Sequence, residues 1–467
     1  MSGESFLNGR VVLHAGDCLD VLRALPSNSI DACVTDPPYA LVSIARRFGK
    51  DGAAPSKVPE GGSGAYARAS AGFMGKAWDT GERAFAVEFW AEVYRVLKPG
   101  GHVLAFSATR TVHRLTCAIE DAGFEIRDML AWLYGSGFPK SHDVAKGIDK
   151  AAGAEREVIG QRRNNKGDSG TQTYAALGAF AQSKFSDVTA PATDGARQWE
   201  GWGSALKPAL EPICLARKPL DGTIAENVLA HGTGALNIAA CRVATLDELR
   251  AGAGVLWSHQ RKGEASAERR YTTEGSTNFA ATPGPRGGSP DGRWPANVLH
   301  DGSSEVVAAF PEAPGQQRAL KGGEDSKAEI YGKFGPKLAH EPRGDSGSAA
   351  RFFYSAKADS DDRIGSKHPT VKPVDLMRWL VRLVTPPGGT VLDPFAGTGT
   401  TGEAAFREGF SAVLVEREAE YRADIARRME LVLAGPDGRK HAIAKAKAKP
   451  DDMAGTLFAI PAPMAAE

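Results

Sequence analysis

Two short runs in this chain hold residue types that could do chemistry together. Asp36-Pro37-Pro38-Tyr39 follows the apolar run from Ile30, and Asp393-Pro394-Phe395-Ala396-Gly397-Thr398-Gly399-Thr400 follows the run from Thr390. An amine attached to an aromatic ring is a poor nucleophile because its lone pair is delocalised into the ring. Alkylating it calls for acceptors that hold the amine hydrogens while the nitrogen pyramidalises, not for a strong base. Asp36 offers a carboxylate and Pro37 a backbone carbonyl, one acceptor for each hydrogen. Two successive prolines stiffen the loop that presents them. Tyr39 adds an aromatic face on which a base drawn out of its stack could rest. The competing reading is an ordinary strand-ending turn, since Asp and Pro are common turn residues.

The second run favours chemistry over the turn. Gly397 and Gly399 stand at G-x-G spacing between a strand pattern and a helix pattern, where a missing Cβ lets backbone approach a ligand. No lysine follows them as a phosphate-gripping loop requires, so a nucleoside cofactor without phosphates, S-adenosylmethionine, fits better. Glu416 ends the next strand pattern, 23 positions after Asp393, near the roughly 20-residue offset at which an acid reaches ribose hydroxyls; the alternative is a solvated strand-end glutamate. Asp17 could bond the adenine or methionine portion from another strand end, or only form a turn. In His368-Pro369-Thr370-Val371-Lys372-Pro373, Thr370 offers a hydroxyl and Lys372 a cation for the methionine carboxylate near a helix start; the alternative is a Pro-braced loop with a helix cap.

None of the five cysteines directly follows a proline, so the covalent route of carbon-directed cytosine methylation lacks its usual nucleophile. What remains is direct displacement on a sulfonium. The cysteines form no C-x-x-C pair, which argues against a zinc or disulfide framework and for a reducing cytoplasm. No metal site is expected. Met1 to Arg10 lacks an export pattern, and no apolar run suits a membrane span. Lysine and arginine number 57 against 56 aspartate and glutamate, so any nucleic-acid surface must be a local patch.

The elements that must position these groups follow from periodicity. Val11 to Asp17 and Ile30 to Asp36 read as strands around a short helix, Asp20 to Leu25, and strand–helix alternation predicts a parallel sheet with its functional groups at the strands' carboxyl ends. Ala84 to Leu97 and Thr111 to Ala122 read as helices, and Val103 to Phe106, Phe124 to Tyr134 and Pro212 to Ala216 as strands. Val374 to Val384 is a helix, Thr390 to Asp393 a strand, Thr401 to Glu408 a helix and Ser411 to Val415 a strand. In 467 residues this predicts a catalytic domain in two parts, 1–220 and 351–434, with a flexible insertion over about 151–196 and a recognition region, 221–350, between the parts. Leu41 to Gly81 reads as a long functional loop, and 435–467 as a disordered tail. Arg261, Lys262, Arg269, Arg270 and Arg293 are the candidate DNA contacts, against ordinary solvated loop charges.

Taken together, these motifs resemble the β-class amino-methyltransferases of DNA, in which the target-amine motif precedes the cofactor motif and a recognition region lies between. Similarity extends through Trp132 to Lys140 and Trp202 to Pro208, covering about Val11 to Leu220 and Arg351 to Leu433. The resemblance implies an α/β, Rossmann-like methyltransferase sheet, mostly parallel with one antiparallel strand, carrying an inserted target-recognition region. It implies S-adenosylmethionine as donor and double-stranded DNA as partner in the cytoplasm, at the nucleoid. A homodimer and a separate restriction nuclease are further candidate partners. Aspartate at the head of the tetrad points to adenine N6; cytosine N4, an RNA or protein amine, and a catalytically silent DNA-binding protein are the alternatives. The recognition sequence is not legible.

Overall fold

The computed structural model describes residues 3–39, 83–137, 141–163, 185–244, 292–313, 347–356, 360–366, 368 and 370–447. The chain begins with β1 (Glu4–Phe6) and β2 (Val11–Ala15), followed by α1 (Cys18–Ala24) and β3 (Ile30–Thr35). Next come α2 (Val87–Val96), β4 (Leu97–Phe106), α3 (Val112–Asp121) and β5 (Glu125–Leu133). β4 starts earlier than the sequence suggests and runs through Pro99-Gly100-Gly101. Gly100 has φ +76°, and a Cβ there would stand 2.4 Å from Asn227 Nδ2, so only glycine fits this backbone.

A second group of elements comprises α4 (Val144–Ala151), the hairpin β6 (Val158–Arg163) and β7 (Phe185–Thr189), and α5 (Asp194–Gln198). They lie in a compact unit of their own, Tyr134–Leu210 with Lys367–Thr370. At its centre the buried Asp149 accepts bonds from Ala192 N, Thr193 N, Thr193 Oγ1 and Arg156. The insertion expected to be flexible over about 151–196 therefore has a hairpin and the start of α5 in its described parts, held to a carboxylate of the preceding α4 that sequence periodicity does not reveal.

The chain returns to the first unit with β8 (Leu210–Arg217), α6 (Ile224–His231), β9 (Val298–His300), α7 (Ser304–Ala309) and β10 (Tyr354–Ser355). It closes with α8 (Val374–Val384), β11 (Thr390–Asp393), α9 (Thr400–Arg407), β12 (Ser411–Glu416), α10 (Ala419–Val432) and α11 (Pro436–Lys447). Two expectations change here. β9 pairs with β5 inside the main sheet, so 221–350 is not wholly a separate module. The stretch read as a disordered tail begins as α11, which Arg439 fastens to Glu403; 448–467 lie outside the described residues.

The main sheet has the order β1-β2-β12-β11-β3-β4-β8-β5-β9-β10. β2, β12, β11, β3 and β4 run parallel, and β8 runs antiparallel to β4. The edge strand β1 adds one more antiparallel pairing. Every residue of β3 is buried, as a strand covered on both faces must be. Val21, Leu22, Phe89, Trp90 and Val93 of α1 and α2 join Ile30, Cys33 and Val103 in one apolar cluster. α8 buries Leu376, Met377, Trp379, Leu380, Val381, Leu383 and Val384, each worth about 1.5–3 kcal/mol for the large apolar side chains. Pro386 and Pro387 follow its C-cap Thr385 and prevent its continuation. Among the described residues no helix is long and apolar enough to cross a membrane.

The parallel order places the ends of β2, β12, β11 and β3 side by side, with Glu416 opposite Ala15 and Asp393 opposite Leu414. Asp17, Glu416, Asp393 and Asp36 therefore lie along one rim of the sheet. β3 stands between β11 and β4, where the chain order reverses, the place at which open α/β sheets bind ligands.

Candidate active site

Asp36 leaves β3 directly onto this rim. Its Oδ2 pairs with Lys372 Nζ at 3.0 Å, whereas its Oδ1 is buried without a hydrogen-bond partner among the described residues. Pro37 is buried beside it. The Tyr39 hydroxyl donates to Glu211 Oε2 at 3.3 Å and accepts from Lys372 at 2.9 Å. Thr111 Oγ1 holds the Tyr39 carbonyl at 3.2 Å. Lys372 also donates to Glu211 Oε2 at 2.8 Å, and its ammonium lies 4.7 Å from the Phe106 ring centroid.

The cluster's charge states follow from its composition. Burial alone favours a neutral Lys372, but Asp36 and Glu211 outweigh it and hold the ammonium above the ordinary lysine range. Burial, reinforced by the same two carboxylates, keeps the Tyr39 hydroxyl protonated. Lys372, expected to hold a methionine carboxylate, is engaged by Asp36, Glu211 and Tyr39. Glu211 carries no local sequence signal. It reaches this rim because β8 runs antiparallel, which brings the start of that strand to the edge where the parallel strands end.

The glycine loop is built from β11 outward. Asp393 is buried and turns its carboxylate inward, Oδ1 accepting from Thr35 Oγ1 at 2.7 Å and Phe395 N at 3.1 Å, Oδ2 from Thr401 Oγ1 at 2.5 Å. Burial pushes its carboxyl up to about 6. Asp393 thus anchors the loop to β3 and α9. Phe395 packs on Phe89 with ring centroids 5.1 Å apart. Gly399 has φ +78° and caps α9, and a Cβ there would press on Ile425 at 3.0 Å. Glu416 closes the other side, with Oε2 accepting from Gly397 N and Oε1 from Glu418 N, both at 2.8 Å. Burial pushes Glu416 up to about 7.

Behind the loop lies a group that sequence reading missed. Arg428 of α10 is fully buried and donates to Thr398 O at 2.6 Å, to Thr398 Oγ1 at 3.2 Å, to Asp362 O at 2.6 Å and to Glu403 at 2.7 Å. Burial would raise the Glu403 carboxyl, but Arg428 and Arg439 together hold it below the usual range. The only signal in the sequence is a charged residue beside the apolar Ile425 and Met429.

Other expected site residues have different placements. Asp17 caps α1, accepting from Leu19 N at 3.0 Å, and pairs with Arg83 at 3.3 Å, so its turn-forming alternative is visible in the structure. Thr370 is exposed in the second unit, its carbonyl 2.5 Å from His368 Nδ1. Arg293 lies over the Phe352 ring at 4.6 Å and pairs through its backbone with Val243. Arg261, Lys262, Arg269 and Arg270, and the long loop 41–81, lie outside the described residues.

The N6/N4 DNA methylase family model matches residues 30–161 and 257–427, more than half of the chain, and the chain belongs to that family. Type II methyltransferase M.HindIII of Haemophilus influenzae is 24% identical over 239 residues, covering 48% of this chain and 64% of the relative. Type II methyltransferase M2.DpnII of Streptococcus pneumoniae is 38% identical over 69 residues, covering 15% of this chain and 26% of the relative. The chain thus spans less than two thirds of either. Among solved structures, the cytosine-N4-specific PvuII DNA methyltransferase aligns with 95% of this chain and 96% of its own at 14% identity and TM-score 0.39. The M1.HpyAVI–SAM complex aligns with 90% and 100% at 13% identity and TM-score 0.34.

Proposed function

We propose that this chain transfers a methyl group from S-adenosylmethionine to the exocyclic amine of an adenine turned out of duplex DNA. The observation that carries the reading is the divided Asp36 carboxylate, one oxygen held by Lys372 and the other buried, without a hydrogen-bond partner among the described residues, at the rim beside Tyr39. A buried acceptor without a donor is costly unless a ligand supplies one. An exocyclic amine does so, and the Pro37 carbonyl can take its second hydrogen. Tyr39 would stack on the base, and the Asp at the head of the tetrad supports adenine over cytosine.

The loop residues fit the proposed donor, which supplies an electrophilic methyl when bound. Glu416 is a buried carboxylate whose oxygens each accept one backbone bond, leaving lone pairs for ribose hydroxyls. Gly397, Thr398, Gly399 and Thr400 would offer backbone around the nucleoside, while Asp393, Pro394, Phe395 and Ala396 hold that backbone in place. Asp17 is retained as a donor contact from its strand-end position on the rim, and Thr370 from the block His368 to Pro373 that resembles the family's. Arg261, Lys262, Arg269, Arg270 and Arg293 would contact phosphates or bases, with the target sequence read in 221–350, and DNA binding would place the protein at the nucleoid. Protection against a separate nuclease is part of the same reading, supported by the Type II naming of both relatives.

Given a tritiated methyl donor and duplex DNA, RNA and protein as parallel acceptors, the chain should label duplex DNA alone. Label confined to RNA or protein would overturn the reading. Donor binding should also be linked to pH. Hydroxyls bonded to Glu416 favour its ionised form, so below about 7 binding must release a proton, and affinity should rise by about tenfold per pH unit there and level off above. Titration calorimetry at acidic and alkaline pH should show this rise in the native protein and a flat profile in Glu416→Gln. A native affinity independent of pH would remove Glu416 from the donor site.

A further inference from the structure

Methyl transfer of this kind moves a positive charge. As the amine lone pair forms the new N–CH3 bond, the C–S electron pair returns to sulfur, so the charge leaves the sulfonium and arrives on the nitrogen. The nitrogen then loses a proton, which Asp36 can receive and pass to water, its side chain being 23% exposed. A clamp that speeds this step must be more welcoming to a cation at the nitrogen than to a neutral amine. Asp36 by itself meets that need, but Lys372 stands 3.0 Å from its Oδ2. An isolated Asp36–Lys372 pair would be neutral.

Glu211 changes that balance. It lies 2.8 Å from the same ammonium, so the described charges at the clamp are two carboxylates and one cation, a net charge of −1. The Tyr39 hydroxyl bridges Lys372 and Glu211 at 2.9 and 3.3 Å, and Phe106 and Tyr39 bury the ammonium between aromatic faces at 4.7 and 5.2 Å. The three side chains come from three separated segments, yet no fourth charge of the described residues is paired with Lys372. The arrangement does two things together: Lys372 fixes Oδ2 and so directs Oδ1 at the acceptor amine, and Glu211 restores the negative charge that this fixing would otherwise cancel.

We infer that Lys372 and Glu211 are positioning residues for the amine clamp, Lys372 orienting the Asp36 carboxylate and Glu211 keeping the clamp's net charge at −1 so that it stabilises the cation formed on the acceptor nitrogen. This rests on the methyl-transfer reading above. Glu211→Gln should lower kcat by on the order of tenfold or more, with the donor KM within about twofold of the native value. Lys372→Met should also lower kcat, because Asp36 loses its orienting partner and faces Glu211 unscreened. The decisive variant is the double one. Glu211→Gln with Lys372→Met again leaves one carboxylate and net −1, and its kcat should exceed that of Glu211→Gln alone.

A merely structural role predicts the opposite, with the double variant at or below the slower single one. That result, or a Glu211→Gln enzyme with native kcat, would overturn the inference. Thermal unfolding and donor affinity of each variant, measured alongside, separate loss of fold from loss of charge balance. If the native chain itself transfers no methyl group to DNA, it is the parent reading that fails; if the native chain is active and the charge series does not reverse, the failure belongs to this inference.

Discussion

Asp36→Ala should reduce methyl transfer to DNA by roughly 1,000-fold or more in kcat while leaving donor affinity within about twofold, the pattern of a group that acts in the transition state and not in cofactor binding. The separation follows from the geometry. Asp36 has one oxygen on Lys372 and the other without a partner among the described residues, whereas the groups around the glycine loop are held by Thr35, Thr401, Arg428 and Glu416 without its help. Removing the carboxylate also leaves the buried Lys372 with Glu211 as its one remaining carboxylate, so the ammonium stays compensated and the fold should survive. Tritium transfer and titration calorimetry on the same preparation test both halves. Retained transfer would take Asp36 out of the mechanism; lost donor binding would place it in the wrong site.

The largest effect on stability should come from Arg428→Met. Breaking a buried ion pair by removing one partner typically costs about 3–5 kcal/mol, because the other charge is left uncompensated. Arg439 still reaches Glu403, which places the expected loss at the lower end of that range. The same substitution removes the bonds from Arg428 to the Thr398 carbonyl and hydroxyl and to the Asp362 carbonyl, so the glycine loop should loosen and donor affinity should fall as well. The urea midpoint and donor affinity measure the two effects. An unchanged midpoint in the variant would show that the guanidinium contributes nothing beyond its volume.

How much of this was legible in the sequence depends on whether a signal is local. The strand–turn pairs that carry Asp36, Asp393 and Glu416 are written in short apolar runs with turn residues at their ends, and the structure places all three on one rim. Helix α8 was readable to its limits because its apolar residues recur at helical spacing and prolines follow it. The partners of Lys372 were not readable, since Glu211 arrives on a strand whose antiparallel direction no local pattern encodes. Glu403 and Arg428 lie on different helices, 25 positions apart, and look like surface charges until α9 and α10 pack. Asp149 is similar: an unremarkable acid within α4 that becomes the hub of the second unit once Thr193 and Arg156 close on it.

The central claim is that the Asp36 clamp and the Glu416 loop serve one acceptor nitrogen in DNA. Its most direct test is mass spectrometry of nucleosides digested from the DNA of a methylation-deficient host expressing either the native chain or Asp36→Ala. The account predicts N6-methyladenine with the native chain and none above background with the variant. Equal amounts of modified base in the two samples, or none in either from folded, donor-bound protein, would contradict it.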